Sequence, residues 1–160
     1  MNDITPCSIF CKIIAKNEPD AIAWIRGNAS HKELDGIVCF YRAPFGGVIV
    51  NAEIYGLPDS NTATGSDFYG MHIHENGNCT PPFDKTGGHY NPSNVSHPGH
   101  AGDLPALLGN NGYAWIAFFT KRFTIEEILG KSVVIHAMRD DFTSQPSGDS
   151  GEKIGCGVIE

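Results

Sequence analysis

Six of the seven histidines of this chain, with one aspartate, fall into a pattern that can do chemistry. His72 and His74 flank Ile73. In an extended segment alternate side chains project from one face with Cα atoms about 6 to 7 Å apart, so this pair can chelate one ion. His89, His97, His100 and Asp103 follow in a stretch rich in Gly, Asn and Pro, and His136 ends a later apolar run. Two four-coordinate sites need more ligand positions than these residues supply, and a single imidazole donating through both nitrogens closes the count. The same arithmetic also fits one open site. An all-imidazole set favours copper, whereas three histidines with a carboxylate suit tetrahedral zinc, which assigns the loop ligands to zinc. His31, after Asn28-Ala29-Ser30 in a turn pattern, reads as a solvated residue.

The elements that must position these residues are short. β-like runs over 21–26, 36–42, 48–55, 68–74, 113–119, 133–136 and 154–159 alternate with turn residues, and 19 glycines and 10 prolines leave little room for long helices. Val48, Val50, Ala52 and Ile54 share one face of their run. The pattern predicts an all-β sandwich or barrel. Residues 75–111 lack periodicity and hold most of the candidate ligands, as expected of a long functional loop. Residues 139–153 form a second polar loop, and Thr124-Ile125-Glu126-Glu127 is a capping-box signal for one short helix. Residues 3–16 predict an amphipathic helix with Thr5 as cap, Pro6 in its first turn and Ile9, Phe10, Ile13 and Ile14 on one side. Cys7 and Cys11 stand four apart on that helix, a spacing that predicts packing, and Cys39 alternates into the core of its strand.

At 160 residues the chain is long enough for one domain with a sizeable core. A formal charge of −7, with only 11 Lys and Arg, argues against a nucleic-acid partner, and any anionic substrate must be attracted locally. No apolar run is long enough for a membrane helix. No secretory signal is visible after Met1, so a cytoplasmic location is expected. Five cysteines, an odd number, fit a mostly reduced compartment.

The strings Gly70-Met71-His72-Ile73-His74-Glu75, Gly87-Gly88-His89-Tyr90-Asn91-Pro92, His100-Ala101-Gly102-Asp103-Leu104, Val134-Ile135-His136 and Gly155-Cys156-Gly157-Val158-Ile159 resemble, in order, those of copper,zinc superoxide dismutases. The resemblance covers residues 21–160 and leaves 1–20 as an N-terminal extension. It implies a Greek-key β-barrel of about eight antiparallel strands, with copper held by His72, His74, His89 and His136 and zinc by His89, His97, His100 and Asp103, His89 being the bridge. It further implies that Asp140 links the outer nitrogens of His72 and His97, and that Cys79 and Cys156 form a disulfide. The implied activity converts superoxide anion to dioxygen and hydrogen peroxide at copper, with His89 supplying a proton. The resemblance allows a homodimer.

Two departures stand out. Lys153 occupies the position at which the family usually has an arginine that guides substrate; it keeps the charge but not the planar fork. Arg139, beside His136, either compensates or faces solvent. The spacing His97-Pro98-Gly99-His100 is shorter than in most relatives, and so is the loop after Asp140. These changes motivate a competing reading as a non-catalytic copper- and zinc-binding relative. A zinc hydrolase with Glu75 as general base is a more distant rival.

Overall fold

The computed structural model describes residues 5–15, 18–58 and 67–160. Its main body is a curled antiparallel sheet, built from β1 (Ala21–Gly27), β2 (Asp35–Arg42), β3 (Val48–Tyr55), β5 (Met71–His74), β7 (Ala114–Thr120), β8 (Ser132–His136) and β9 (Lys153–Val158). The strand order is β5-β8-β9-β1-β2-β3-β7, so the last strand lies between the eighth and the first, as a Greek key requires. The predicted run over 68–74 breaks at Gly70: β4 (Phe68–Tyr69) pairs instead with β6 (Leu107–Leu108) in a two-stranded ribbon. Gly70 turns the path by bonding Met138 O and His136 N, and a Cβ there would meet the Ser150 side chain at 3.0 Å and His72 Cε1 at 3.2 Å.

Inward-facing residues of the strands, including Ile25, Val38, Phe40, Val50, Ile54, Met71, Ile73, Val133 and Ile135, fuse into one core. Removal of such apolar surface from water is the dominant favourable term in folding. The short helix α2 (Ile125–Ile128) forms as its capping box predicts, with Thr124 and Glu127 bonding each other's backbone N–H, and buries Ile125 and Ile128.

The predicted N-terminal helix is α1 (Pro6–Ile14); positions 3, 4 and 16 of the expected span lie outside the described residues. Phe10, Ile13 and Ile14 pack on the outer face of the sheet against Cys39, Tyr41 and Ile49. The expected packing of Cys7 and Cys11 is not found, because both are exposed. At about 100° per residue they sit roughly a quarter turn from the Phe10–Ile13–Ile14 stripe, which alone faces the sheet.

Candidate metal centre

The pleat of β5 sends Met71 and Ile73 into the core and His72 and His74 to the opposite face, where the two rings lie 6.3 Å apart, centroid to centroid. On β8 the same alternation puts Ile135 inside and His136 outside, and a bulge between them re-aims His136 to pair with Lys153 on β9. Since β5 is the edge of the sheet, its free backbone needs partners. The long loop supplies them: Tyr90 N–H donates to Ile73 O at 2.8 Å, and Ile73 N–H to Gly102 O at 2.9 Å. Only glycine fits at 102, because a Cβ there would collide with Ile73 O. This pairing brings His89 beside His74 and Asp103 beside His72.

The loop is tied down a second time by the Cys79–Cys156 disulfide, with Cα atoms 5.5 Å apart. Cys156, Val134 and His72 are cross-strand neighbours in one row of β9, β8 and β5. Cys79, Phe83, Val134 and Cys156 form a small apolar cluster on the same outer face.

Two groups of buried donors result. His72, His74, His89 and His136 form one, and His89, His97, His100 and Asp103 the other; within each, one candidate ligand atom per residue lies within 4.8 Å of the rest. His89 belongs to both. Its Nδ1 is 2.7 Å from Asp103 Oδ1, and its ring stacks on His72 with centroids 3.9 Å apart.

Hydrogen bonds on the outer side orient most of these rings. His74 Nδ1 donates to Gly87 O at 2.9 Å and His136 Nδ1 to Gly151 O at 3.2 Å, so their Nε2 atoms face each other at 3.3 Å. His72 Nε2 and His97 Nε2 donate to the two oxygens of Asp140 at 2.8 and 2.9 Å. Acceptors without hydrogens fix the tautomers and leave the inner nitrogens as lone-pair donors. His72 Nδ1, His89 Nε2, His97 Nδ1 and His100 Nδ1 are buried and make no hydrogen bond. Buried polar atoms are normally paired, so four such nitrogens beside a carboxylate are a donor set suited to metal ions.

Electrostatics agree. Burial, followed by the neighbouring imidazole of His72, lowers His136 to about 3. Burial and His136 likewise hold His74 well below the usual histidine value, and burial lowers His72 against the pull of Asp140. Neutral imidazoles are the form that binds metal. Burial alone would raise Asp140, but bonds from His72, Phe142 N–H and His97 outweigh it and bring the carboxyl to about 2. Asp103 is also lowered: the effect of burial is overcome by the His89 bond and by His97 and His100. The neighbouring Asp141 is not part of this link: its Oδ1 accepts from Thr143 and Ser144 N–H.

The first group opens into a cleft of about 420 Å³ lined by His74, His89, His136, Gly151 and Lys153 among others. Lys153 Nζ donates to Thr86 Oγ1 at 2.9 Å and to Gly87 O at 3.2 Å, on the carbonyl that also orients His74. Burial lowers the Lys153 pKa, partly opposed by Asp84. Arg139 borders a different depression, with Phe68, Ala106 and Phe142. Glu75 is exposed, accepts from Gly88 N–H and belongs to neither donor group, and His31 is tied to Asn28 in its turn. Fully buried Thr86 escapes sequence reasoning; an isolated threonine has no pattern, although its place beside Gly87-Gly88-His89 is a pointer.

Residues 34–159 match the family described as copper/zinc superoxide dismutase (SODC). The chain belongs to the copper/zinc superoxide dismutase family. Among curated relatives, a copper-zinc superoxide dismutase of Deinococcus radiodurans is 34% identical, with 80% of this chain and 78% of the relative aligned. Copper-zinc superoxide dismutase 3 of Arabidopsis thaliana is 34% identical over 87% of this chain and 88% of its own. Among solved structures, the clock protein EA4 superposes with a TM-score of 0.75 at 29% identity, covering 87% of this chain and 92% of its own. A double mutant of a superoxide dismutase-like protein from Bacillus subtilis gives 0.74 at 29% identity, covering 86% and 95%. The two-residue separation of His97 and His100 does not disperse the donors: His97, His100 and Asp103 converge with His89.

Proposed function

We propose that this chain is a superoxide dismutase in which His72, His74, His89 and His136 hold copper and His89, His97, His100 and Asp103 hold zinc. The observation that carries the reading is the membership of His89 in both donor groups, with Nδ1 turned to Asp103 and Nε2 buried without a hydrogen bond. Bound copper would supply one-electron chemistry for a dismutation in which one superoxide is oxidised to dioxygen and a second, taking up two protons, is reduced to hydrogen peroxide.

The chain's own residues do the rest. His89 Nε2 faces the cleft donors and is the atom at which a proton can be held and handed to reduced substrate. Lys153 supplies local positive charge on a protein of net charge −7 and draws the anion into the cleft. Thr86 and Gly87 hold its ammonium at the wall. Asp140 fixes His72 and His97 together, so that a disturbance at one ring is felt at the other. The open cleft with a cation on its wall favours turnover over metal storage.

The test is reconstitution of the purified protein with copper and zinc, followed by superoxide consumption and the copper electron paramagnetic resonance spectrum before and after zinc removal. Fast turnover with a copper signal that changes when zinc is withdrawn supports the reading. Both metals bound without turnover would leave a binding protein.

A further inference from the structure

The shortened loop between His97 and Asp103 has few residues with which to stabilise itself, yet it presents three donors in register. Two side chains from outside it grip its main chain. Arg122, in the connection between β7 and α2, directs Nη1 at three carbonyl oxygens of the loop: Pro98 and His100 at 3.1 Å each and Asp103 at 3.3 Å. Gln145, in the second loop, pairs with both backbone groups of His97: its Nε2 donates to His97 O at 2.7 Å, and its Oε1 accepts from His97 N–H at 3.1 Å. The carbonyls of two candidate ligands and both main-chain groups of a third are therefore held by residues that do not themselves belong to either donor group.

Both gripping residues stand on firm bases. Arg122 N–H bonds Thr120 Oγ1, and the adjacent Phe123 is buried in edge contact with Phe40. Gln145 follows a turn in which Asp141 Oδ1 accepts from Thr143 and Ser144 N–H. A guanidinium suits clustered carbonyls because its rigid, always-charged donors can serve several acceptors. A side-chain amide reproduces the donor and acceptor of a neighbouring strand.

We infer that Arg122 and Gln145 are positioning residues that set the zinc affinity of this chain by fixing the backbone of His97, His100 and Asp103. Asp140 orients the His97 ring, whereas these two residues fix where its main chain starts. The inference rests on the zinc assignment proposed above. Loss of either grip widens the range of donor positions in the metal-free protein, and binding must then include the cost of ordering them. Outer contacts of this kind typically alter metal affinity by about tenfold to a hundredfold.

The experiment measures zinc affinity by competition with a chromophoric chelator, and copper affinity in parallel, on the disulfide-intact full chain. The variants are Arg122→Ala, Arg122→Lys, Gln145→Ala and Gln145→Glu. Gln145→Glu keeps the size but turns an oxygen towards His97 O in place of the donor. Expected is a loss of about tenfold in zinc affinity for Arg122→Ala and Gln145→Glu, with copper affinity changed less than about twofold and partial recovery in Arg122→Lys. Unchanged zinc affinity in both variants overturns the inference. So does an equal fall for copper and zinc, which would mark general loosening of the fold. A wild-type chain that binds no zinc instead removes the metal assignment on which the inference stands.

Discussion

His72 and His97 are joined through one carboxylate: Asp140 accepts from Nε2 of the first at 2.8 Å and of the second at 2.9 Å, and all three side chains are buried. Asp140→Asn keeps the size but presents an amide N–H to one of the two imidazole N–H groups, so one bond becomes a repulsion. Zinc affinity is expected to fall by about tenfold to a hundredfold, with a perturbed copper spectrum in the same variant. Chelator competition and paramagnetic resonance check both, and wild-type values in each would show that the link has no functional weight.

Lys153 is the positive group on the wall of the His74–His136 cleft. Lys153→Ala should lower the rate at limiting superoxide by about tenfold. Salt is expected to slow the wild-type enzyme by screening a local attraction, and to have little or an opposite effect on the alanine variant, in which the net negative charge alone remains. Lys153→Arg should raise activity at low superoxide. Pulse radiolysis across a range of ionic strength decides these points; identical salt profiles would place substrate guidance elsewhere.

Much of the site is legible in the amino-acid sequence, and the reason is chemical. Metal ligands come from a small set of residue types, and His72-Ile73-His74 needs only the two-residue period of a strand to converge. A shared imidazole follows from a shortage of ligands for two sites, and its assignment to His89 is what the family resemblance implies. Arg122 and Gln145 are not legible, since they act on backbone carbonyls and N–H groups, which every residue possesses, and Thr86, which accepts from the Lys153 ammonium, is an isolated threonine, so none of the three leaves a spacing to detect. The break at Gly70 is hidden for a related reason: the residues that crowd it, Ser150 and His72, include one 80 positions away along the chain. At the N-terminus the periodicity locates α1 correctly, but the apolar stripe alone determines which face meets the sheet, and Cys7 and Cys11 fall beside it.

Those cysteines provide a direct check on how α1 docks. A thiol reagent under native conditions should label Cys7 and Cys11 quickly and Cys39 only after unfolding, because Cys39 lies beneath the helix. Mass spectrometry of the labelled peptides distinguishes the three. Equal labelling of Cys39 would mean that the helix leaves the sheet readily.

The pairing of Arg42 with Glu126 predicts a pH dependence. Arg42 donates to both carboxylate oxygens at 2.7 and 3.2 Å, and this bond is the main reason the Glu126 carboxyl lies at about 2. The folded value is below the unfolded one, so the stabilisation is present above about pH 4.5 and is lost as pH falls towards about 2. The pair is exposed and its contribution is small. The stability difference between the native chain and Glu126→Gln, measured by urea unfolding of the metal-free, disulfide-intact protein, should be constant near neutral pH and shrink below about pH 4.5. A difference unchanged at about pH 3 would rule the pair out as its source.

Four buried imidazole nitrogens without hydrogen bonds make the centre a point of local conflict, since the chain folds towards a site whose polar atoms its own groups leave without hydrogen bonds. Metal loading and folding are then one equilibrium, and each ion bound by the native chain but not by the unfolded one deepens the native basin in proportion to its availability. Metal supply in the surroundings thus becomes a determinant of how long each molecule survives, as well as of how fast it works.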